Sequence, residues 1–78
     1  MANVLVVDDE KEIADLISIY LENENYNVYK YYSSRDVLNN LDKLDIDIAI
    51  LDVMMLDVDG FLLCNKIREK YNFRIIFV

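Results

Sequence analysis

The chain has 78 residues, with 8 Lys and Arg against 15 Asp and Glu and a formal charge of −7. A chain of this length holds one hydrophobic core, and its apolar content of 55% is typical of a folded domain rather than a disordered segment. The acidic surplus argues against contact with nucleic acid, which needs a basic surface. The apolar runs are far shorter than the ~20 residues of a membrane helix.

The single cysteine, Cys64, excludes an internal disulfide. It lies in an apolar, helical pattern, which predicts a buried and unreactive thiol. A lone thiol and the lack of a secretory leader pattern indicate a reducing compartment. We therefore expect a soluble, cytoplasmic domain without membrane contact.

The first half of the chain alternates strand and helix patterns. Residues 3–8 form a β-branched run typical of a buried strand. An amphipathic helix follows, and its spacing predicts a core-facing row made of Ile13, Leu16, Ile17, Tyr20 and Leu21. Residues 27–32 suit an edge strand, and Ser33 with Asp36 resembles a capping box that opens the next helix.

The second half repeats this alternation. The second helix is predicted to carry Val37, Leu38, Leu41 and Leu44. Residues 46–51 are nearly all apolar, as in a central parallel strand that is buried on both faces. After the loop 53–60, the third helix is predicted to carry Leu63, Cys64, Ile67 and Tyr71, and residues 74–78 form a fourth strand. This βαβαβαβ order predicts one domain with a parallel sheet.

Acidic residues follow two of these strands. Asp8 and Asp9 end the first strand, and Asp52 ends the third. Ligands of α/β proteins bind outside the carboxyl ends of the strands, so these acids indicate a cation pocket. Taken singly, Asp8 and Asp9 also suit the start of a helix, and Asp52 also suits a turn.

The run from Val4 to Glu10, Asp52 after the third strand and Asp59-Gly60 before the third helix together resemble the receiver domain of two-component response regulators. Residues 10–16 are most similar to receivers of OmpR-type regulators, including those of vancomycin resistance. The resemblance implies a flavodoxin-like, doubly wound sheet of order 2-1-3-4. It covers residues 1–78, the first two thirds of such a domain. We therefore expect the fourth helix, the fifth strand, the fifth helix and an output domain to be absent.

The resemblance implies a role for each acid. Asp52 would accept a phosphoryl group, as carboxylate nucleophiles do. Asp9 would bind Mg²⁺ directly, Asp8 directly or through water, and Met54 through its main-chain carbonyl. Such a protein is a phosphoacceptor rather than an enzyme, apart from slow self-phosphorylation and dephosphorylation.

The implied partner is a histidine kinase, and the implied output is control of transcription. At the offset of Ile13 from the acid pair, receivers place an apolar side chain against the kinase. A core position in the first helix explains Ile13 equally well.

Two other functions remain open. Residues 54–60 also resemble the motif of haloacid-dehalogenase-like phosphatases, in which Asp57 would be the nucleophile and Asp59 the acid and base. Asp59 has a simpler role as a helix cap. The other alternative is a truncated receiver that acts as a non-catalytic interaction module.

The chain departs from the receiver pattern in two respects. Leu56 stands where the loop usually carries a proline, which predicts a less rigid loop. The Ser or Thr and the Lys that contact the phosphoryl group would lie beyond Val78. Without a fifth strand, residues 74–78 would expose an apolar edge, and we expect self-association there.

Overall fold

The computed structural model describes residues 2–55 and 58–78. Within these residues, four strands and three helices alternate in the order that the sequence predicts. They are β1 (Asn3–Val7), α1 (Lys11–Asn23), β2 (Asn27–Tyr31), α2 (Ser34–Asn40), β3 (Ile48–Leu51), α3 (Gly60–Arg68) and β4 (Arg74–Phe77), with a 3-10 turn at Leu41–Lys43 after α2. In the described part of the chain, no helix is both long and apolar enough to cross a bilayer.

The four strands form one parallel sheet of order β2-β1-β3-β4, which confirms the predicted topology. In the register of the central pair, Val7 of β1 lies beside Leu51 of β3. The two strands therefore end level with each other, and the residues after them emerge at the same edge of the sheet. This alignment positions the candidate site.

The larger part of the core lies between the sheet and helices α2 and α3. Its fully buried members include Leu5, Leu51 and Leu63. The prediction that β3 is buried on both faces was only half right. Ala49 and Leu51 are fully buried on this side, whereas Ile48 and Ile50 on the α1 side are half-buried. Helix α1 packs on β1 and β2, which leaves β3 less covered on that side.

The predicted second helix was too long, because Leu41 begins a 3-10 turn and Leu44 is already extended. The third helix ends at Arg68, so Tyr71 lies beyond it although it still packs on the core. Cys64 is half-buried rather than fully buried.

The predicted core face of α1 was right for Ile17 and Leu21 and wrong for Ile13, Leu16 and Tyr20. Ala14 and Ser18 are buried, and Ile17 and Leu21 pack beside them against Val4 and Val6. The predicted members Leu16 and Tyr20 are each 68% exposed. Two small residues let α1 approach the sheet closely, so the helix is rotated toward Ala14 and Ser18 and its larger apolar side chains face outward.

Candidate functional site

The site lies where β1, β2 and β3 end side by side. The amide of Asp52 donates to the carbonyl of Val7 at 2.9 Å, and the amide of Asp8 donates to the carbonyl of Tyr31 at 3.2 Å. The ladder hydrogen bonds thus extend one residue past the strands. They hold the backbones of both acids in place before their side chains enter the pocket.

Three carboxylates meet at this edge. One oxygen from each of Asp8, Asp9 and Asp52 lies within 4.8 Å of the others, and no other group of three or more potential ligands was found among the described residues. Asp8 is buried, and Asp9 and Asp52 are half-buried. The structure therefore brings together the three acids that the sequence singled out, in an arrangement that can hold a metal ion.

The ionised form of Asp8 is unfavourable in this cluster. Burial raises its pKa above the ordinary 3.8, and the nearby carboxylates of Asp52 and Asp9 raise it further. The amide of Glu10 opposes this rise, because it donates to the Asp8 carboxylate at 2.9 Å. A buried carboxylate beside two others is costly unless a cation compensates it. A hard cation with oxygen ligands, such as Mg²⁺, suits this donor set.

Met54 contacts Asp52 through its backbone. Its side chain is 82% exposed, and its amide donates to the carboxylate of Asp52 at 3.1 Å. This bond orients the Asp52 side chain at the start of the loop that leads to α3. The sequence predicts a ligand role for the Met54 carbonyl, and that role stays a prediction.

Gly60 allows α3 to start directly against the end of β3. A Cβ atom at this position would overlap the carbonyl oxygen of Asp52 and would lie 2.8 Å from the Cα atom of Val53. The amide of Gly60 also donates to the Val53 carbonyl at 2.9 Å. Only glycine fits this close contact, which explains why glycine follows Asp59 at the start of α3.

Asp59 is a helix cap. Its carboxylate accepts from the amide of Leu62 at 2.9 Å in the first turn of α3. It is exposed and lies outside the three-acid cluster. Asp57 and Leu56, for which the sequence predicts a phosphatase nucleophile and a less rigid loop, lie outside the described residues.

Ile13 does not belong to the core, because 40% of its surface is exposed. It lies in the first turns of α1, three residues after Glu10. Of the two interpretations of Ile13, its exposure favours a contact with a partner.

Sequence reasoning missed one residue near the site. Ser34 opens α2 and is fully buried, and its hydroxyl donates to the carbonyl of Val58 at 2.6 Å. The neighbouring Ser33 is the cap that the sequence predicts, since it accepts from the amide of Asp36 at 3.1 Å. A local capping signal gives no information about a contact 24 residues away.

Sequence comparison identifies relatives among known proteins. The regulatory protein VanR of Enterococcus faecium is 51% identical to the chain over 75 residues, which cover 96% of the chain and 32% of VanR. VanRc of Enterococcus gallinarum is 43% identical over 75 residues, with the same coverage. The chain therefore spans about a third of the length of these relatives.

A solved structure is similar over nearly the whole chain. The response regulator TrrA of Thermotoga maritima, crystallised in complex with Mg²⁺ and BeF, has a TM-score of 0.90 and 31% identity, and the match covers 99% of this chain and 68% of that one. The family model of the response regulator receiver domain matches residues 4–78. Together with the parallel sheet and its acidic edge, this match shows that the chain belongs to the response regulator receiver domain family.

Proposed function

We propose that this chain is the phosphoacceptor receiver of a two-component response regulator, in which Asp52 takes a phosphoryl group from a histidine kinase with the help of Mg²⁺. The observation that supports this most is the cluster of Asp8, Asp9 and Asp52 within 4.8 Å at the carboxyl edge of the sheet. Family membership makes signal relay the context of that chemistry.

Asp52 is the best candidate for the nucleophile. It is half-buried, so a donor can reach it, and the Met54 amide fixes one of its carboxylate oxygens. In the proposed step, a carboxylate oxygen attacks phosphorus while the bond from phosphorus to the histidine nitrogen of the kinase breaks. The bonding pair leaves with that nitrogen, and the product is an acyl phosphate.

Asp8 and Asp9 follow β1, whereas Asp52 follows β3. We assign Asp8 and Asp9 to the metal ion. Mg²⁺ held by Asp8, Asp9, Asp52 and the carbonyl of Met54 would supply the positive charge that offsets repulsion between the phosphoryl group and the carboxylates. The raised pKa of Asp8 supports this assignment, since a bound cation relieves the cost of its burial and of its acidic neighbours.

We assign kinase contact to the start of α1, around Ile13. This side chain is 40% exposed and lies on the helix that follows the acid pair directly. A kinase bound there would lie close to the end of β1, which is level with the end of β3, where Asp52 would receive the phosphoryl group. We propose transcription as the output and the cytoplasm as the location, because VanR is named a regulatory protein and the single cysteine is free.

Labelling by acetyl phosphate tests this assignment without knowledge of the cognate kinase. With radiolabelled acetyl phosphate and Mg²⁺, we expect acid-stable, base-labile label on the wild-type chain and none on Asp52→Asn. Asp59→Asn is the matched control, because asparagine keeps the helix cap and Asp59 lies outside the cluster. Label that survives in Asp52→Asn and disappears in Asp57→Asn would favour the phosphatase interpretation instead, because Asp57 is the nucleophile in that interpretation.

We also propose that this 78-residue chain associates through β4. In the sheet of the described residues, β4 is an outer strand that pairs with β3 on one side. Its end is apolar and exposed, with Ile76 at 45%, Phe77 at 37% and Val78 at 58% exposure. An edge of this kind can extend its sheet with a strand of a second copy.

Sedimentation velocity at micromolar concentration tests this association. We expect dimers or larger species for the wild-type chain and monomers for Ile76→Lys, because a charge on an edge strand opposes pairing. Ile19→Lys is the control, since Ile19 is also exposed but lies on α1. A compact wild-type monomer would contradict the proposal.

A further inference from the structure

Ser34 is a buried polar residue that the capping of α2 does not require. Its exposure is 0%, whereas the hydroxyl that caps the helix belongs to Ser33. Burial of a hydroxyl is unfavourable unless it finds a hydrogen-bond partner. The partners that Ser34 finds therefore indicate its role.

Both partners of Ser34 belong to the loop that follows Asp52. The hydroxyl lies 2.6 Å from the Val58 carbonyl and 3.6 Å from the sulfur of Met55. Met55 is itself 8% exposed and belongs to the core. Ser34 thus connects the start of α2 to two points of the loop, one directly after Met54 and one directly before Asp59.

Backbone hydrogen bonds also hold the two ends of the loop. At the start, Asp52 bonds to β1, and at the finish, the amide of Gly60 donates to Val53. The chain has no proline, and its one glycine is Gly60. No proline therefore restricts the backbone between these ends of the loop. The contacts of Ser34 supply a restraint from a different element of the fold.

We propose that Ser34 is a positioning residue for the metal and phosphoryl site, acting through the loop that carries Met54. This inference rests on the proposed function, because it assigns the Met54 carbonyl to the metal. The hydroxyl donates to Val58 and packs on Met55, which keeps the backbone of Met54 in register with Asp52. Groups that orient a ligand in this way change metal affinity strongly although they do not touch the ion.

The test is a Mg²⁺ titration of the intact chain, followed by ¹H–¹⁵N NMR so that folding and affinity are read from the same spectra. For Ser34→Ala we expect the Kd for Mg²⁺ to rise about tenfold, in the range that removal of an orienting group costs. Ser18→Ala is the matched control. Ser18 is a second buried serine, 3% exposed, whose hydroxyl donates at 2.7 Å to Ala14 within α1, away from the loop.

Ser34→Cys provides a second variant, because a thiol is a weaker donor of similar size. We expect the Kd of Ser34→Cys for Mg²⁺ to lie between those of the wild-type chain and Ser34→Ala. If Ser34→Ala does not fold, Ser34→Cys replaces it in the comparison with Ser18→Ala. The inference is overturned if the Ser34 variant binds Mg²⁺ within twofold of the wild-type chain, or if Ser18→Ala weakens binding as much. A wild-type chain that binds no Mg²⁺ would instead contradict the proposed function.

Discussion

The backbone of Gly60 lies so close to the backbone of Asp52 that a Cβ atom on residue 60 would overlap the Asp52 carbonyl oxygen. The first turn of α3 and the proposed phosphoacceptor are therefore in direct contact. Asp59 caps that turn and Gly60 begins it, so the start of α3 forms one boundary of the site. This contact makes Gly60 part of the site although it has no side chain.

Gly60→Ala should destabilise the fold and displace Asp52. We expect a loss of about 1–3 kcal/mol in the free energy of unfolding, as is typical when an extra carbon is forced into a packed region. Urea denaturation followed by circular dichroism measures this loss. Asn65→Ala, an exposed change in the same helix, should stay within about 0.5 kcal/mol of the wild-type chain. Equal stability of the two variants would show that the close contact is not retained in solution.

Asp8→Asn should stabilise the metal-free chain at neutral pH. The pKa of Asp8 is raised by burial and by the neighbouring Asp52 and Asp9, so its ionised form is unfavourable in the folded state. Asparagine removes the charge and can still accept from the amide of Glu10. The same variant should lose most of the rise in Tm that Mg²⁺ gives to the wild-type chain. Thermal unfolding with and without Mg²⁺ measures both effects, and a lower metal-free Tm for Asp8→Asn would contradict the prediction.

The ion pair between Asp15 of α1 and Lys30 of β2 should make the stability of the fold depend on pH. The Asp15 carboxylate lies 2.8 Å from the Lys30 ammonium and accepts from the Tyr32 hydroxyl at 2.6 Å. The bond to Lys30, followed by that to Tyr32, lowers the pKa of Asp15 below the ordinary 3.8. A lowered carboxyl pKa stabilises the fold above the unfolded-state value, and this contribution is lost as pH falls through the folded-state value.

The measurement is urea denaturation of the wild-type chain and Asp15→Asn between neutral pH and pH 2. The wild-type chain should be the more stable of the two above pH 3.8, and its advantage should shrink at lower pH as Asp15 takes up a proton. The effect is modest because the pair is partly exposed. Asp42→Asn, at an exposed position of the 3-10 turn, is the control. A difference that does not change with pH would rule out the charge as its cause.

Ile13→Asp should separate kinase contact from the chemistry of phosphorylation. We expect phosphotransfer from a histidine kinase that phosphorylates the wild-type chain to fall about tenfold or more, as for loss of an apolar contact in an interface. Labelling by acetyl phosphate should be unchanged, because a small donor does not need the docking surface. Ile19→Asp, at a 57% exposed position on the same helix, is the control. Parallel loss with both donors would contradict a docking role for Ile13.

The parts of the fold that follow from local pattern and chain order were predictable. Alternating strands and helices imply a parallel sheet, and a parallel sheet brings Asp8 and Asp52 to one edge. The rotation of α1 was not predictable from periodicity. The apolar residues of α1 cover more than one face, and the choice between Ile13 and Ala14 depends on how closely the helix can approach β1.

Contacts between distant segments explain the other gaps. The loop and α3 are joined to the rest of the fold by Ser34 and Gly60, whose roles depend on the atoms opposite them. In the sequence, Ser34 follows the predicted cap Ser33, and Gly60 precedes a helical pattern. The sequence does not show that one lies against Val58 and the other against Asp52.

Binding of beryllofluoride in the presence of Mg²⁺ tests the central claim most directly, because this anion mimics a phosphoryl group on a carboxylate. ¹⁹F NMR of the wild-type chain should show a bound fluoride signal that requires Mg²⁺ and that is absent from Asp52→Asn. Such a signal would establish that Asp52 and the acids beside it form a working phosphoacceptor site. A wild-type chain that is folded but gives no Mg²⁺-dependent signal different from that of Asp52→Asn would contradict the account and leave an interaction module as its function.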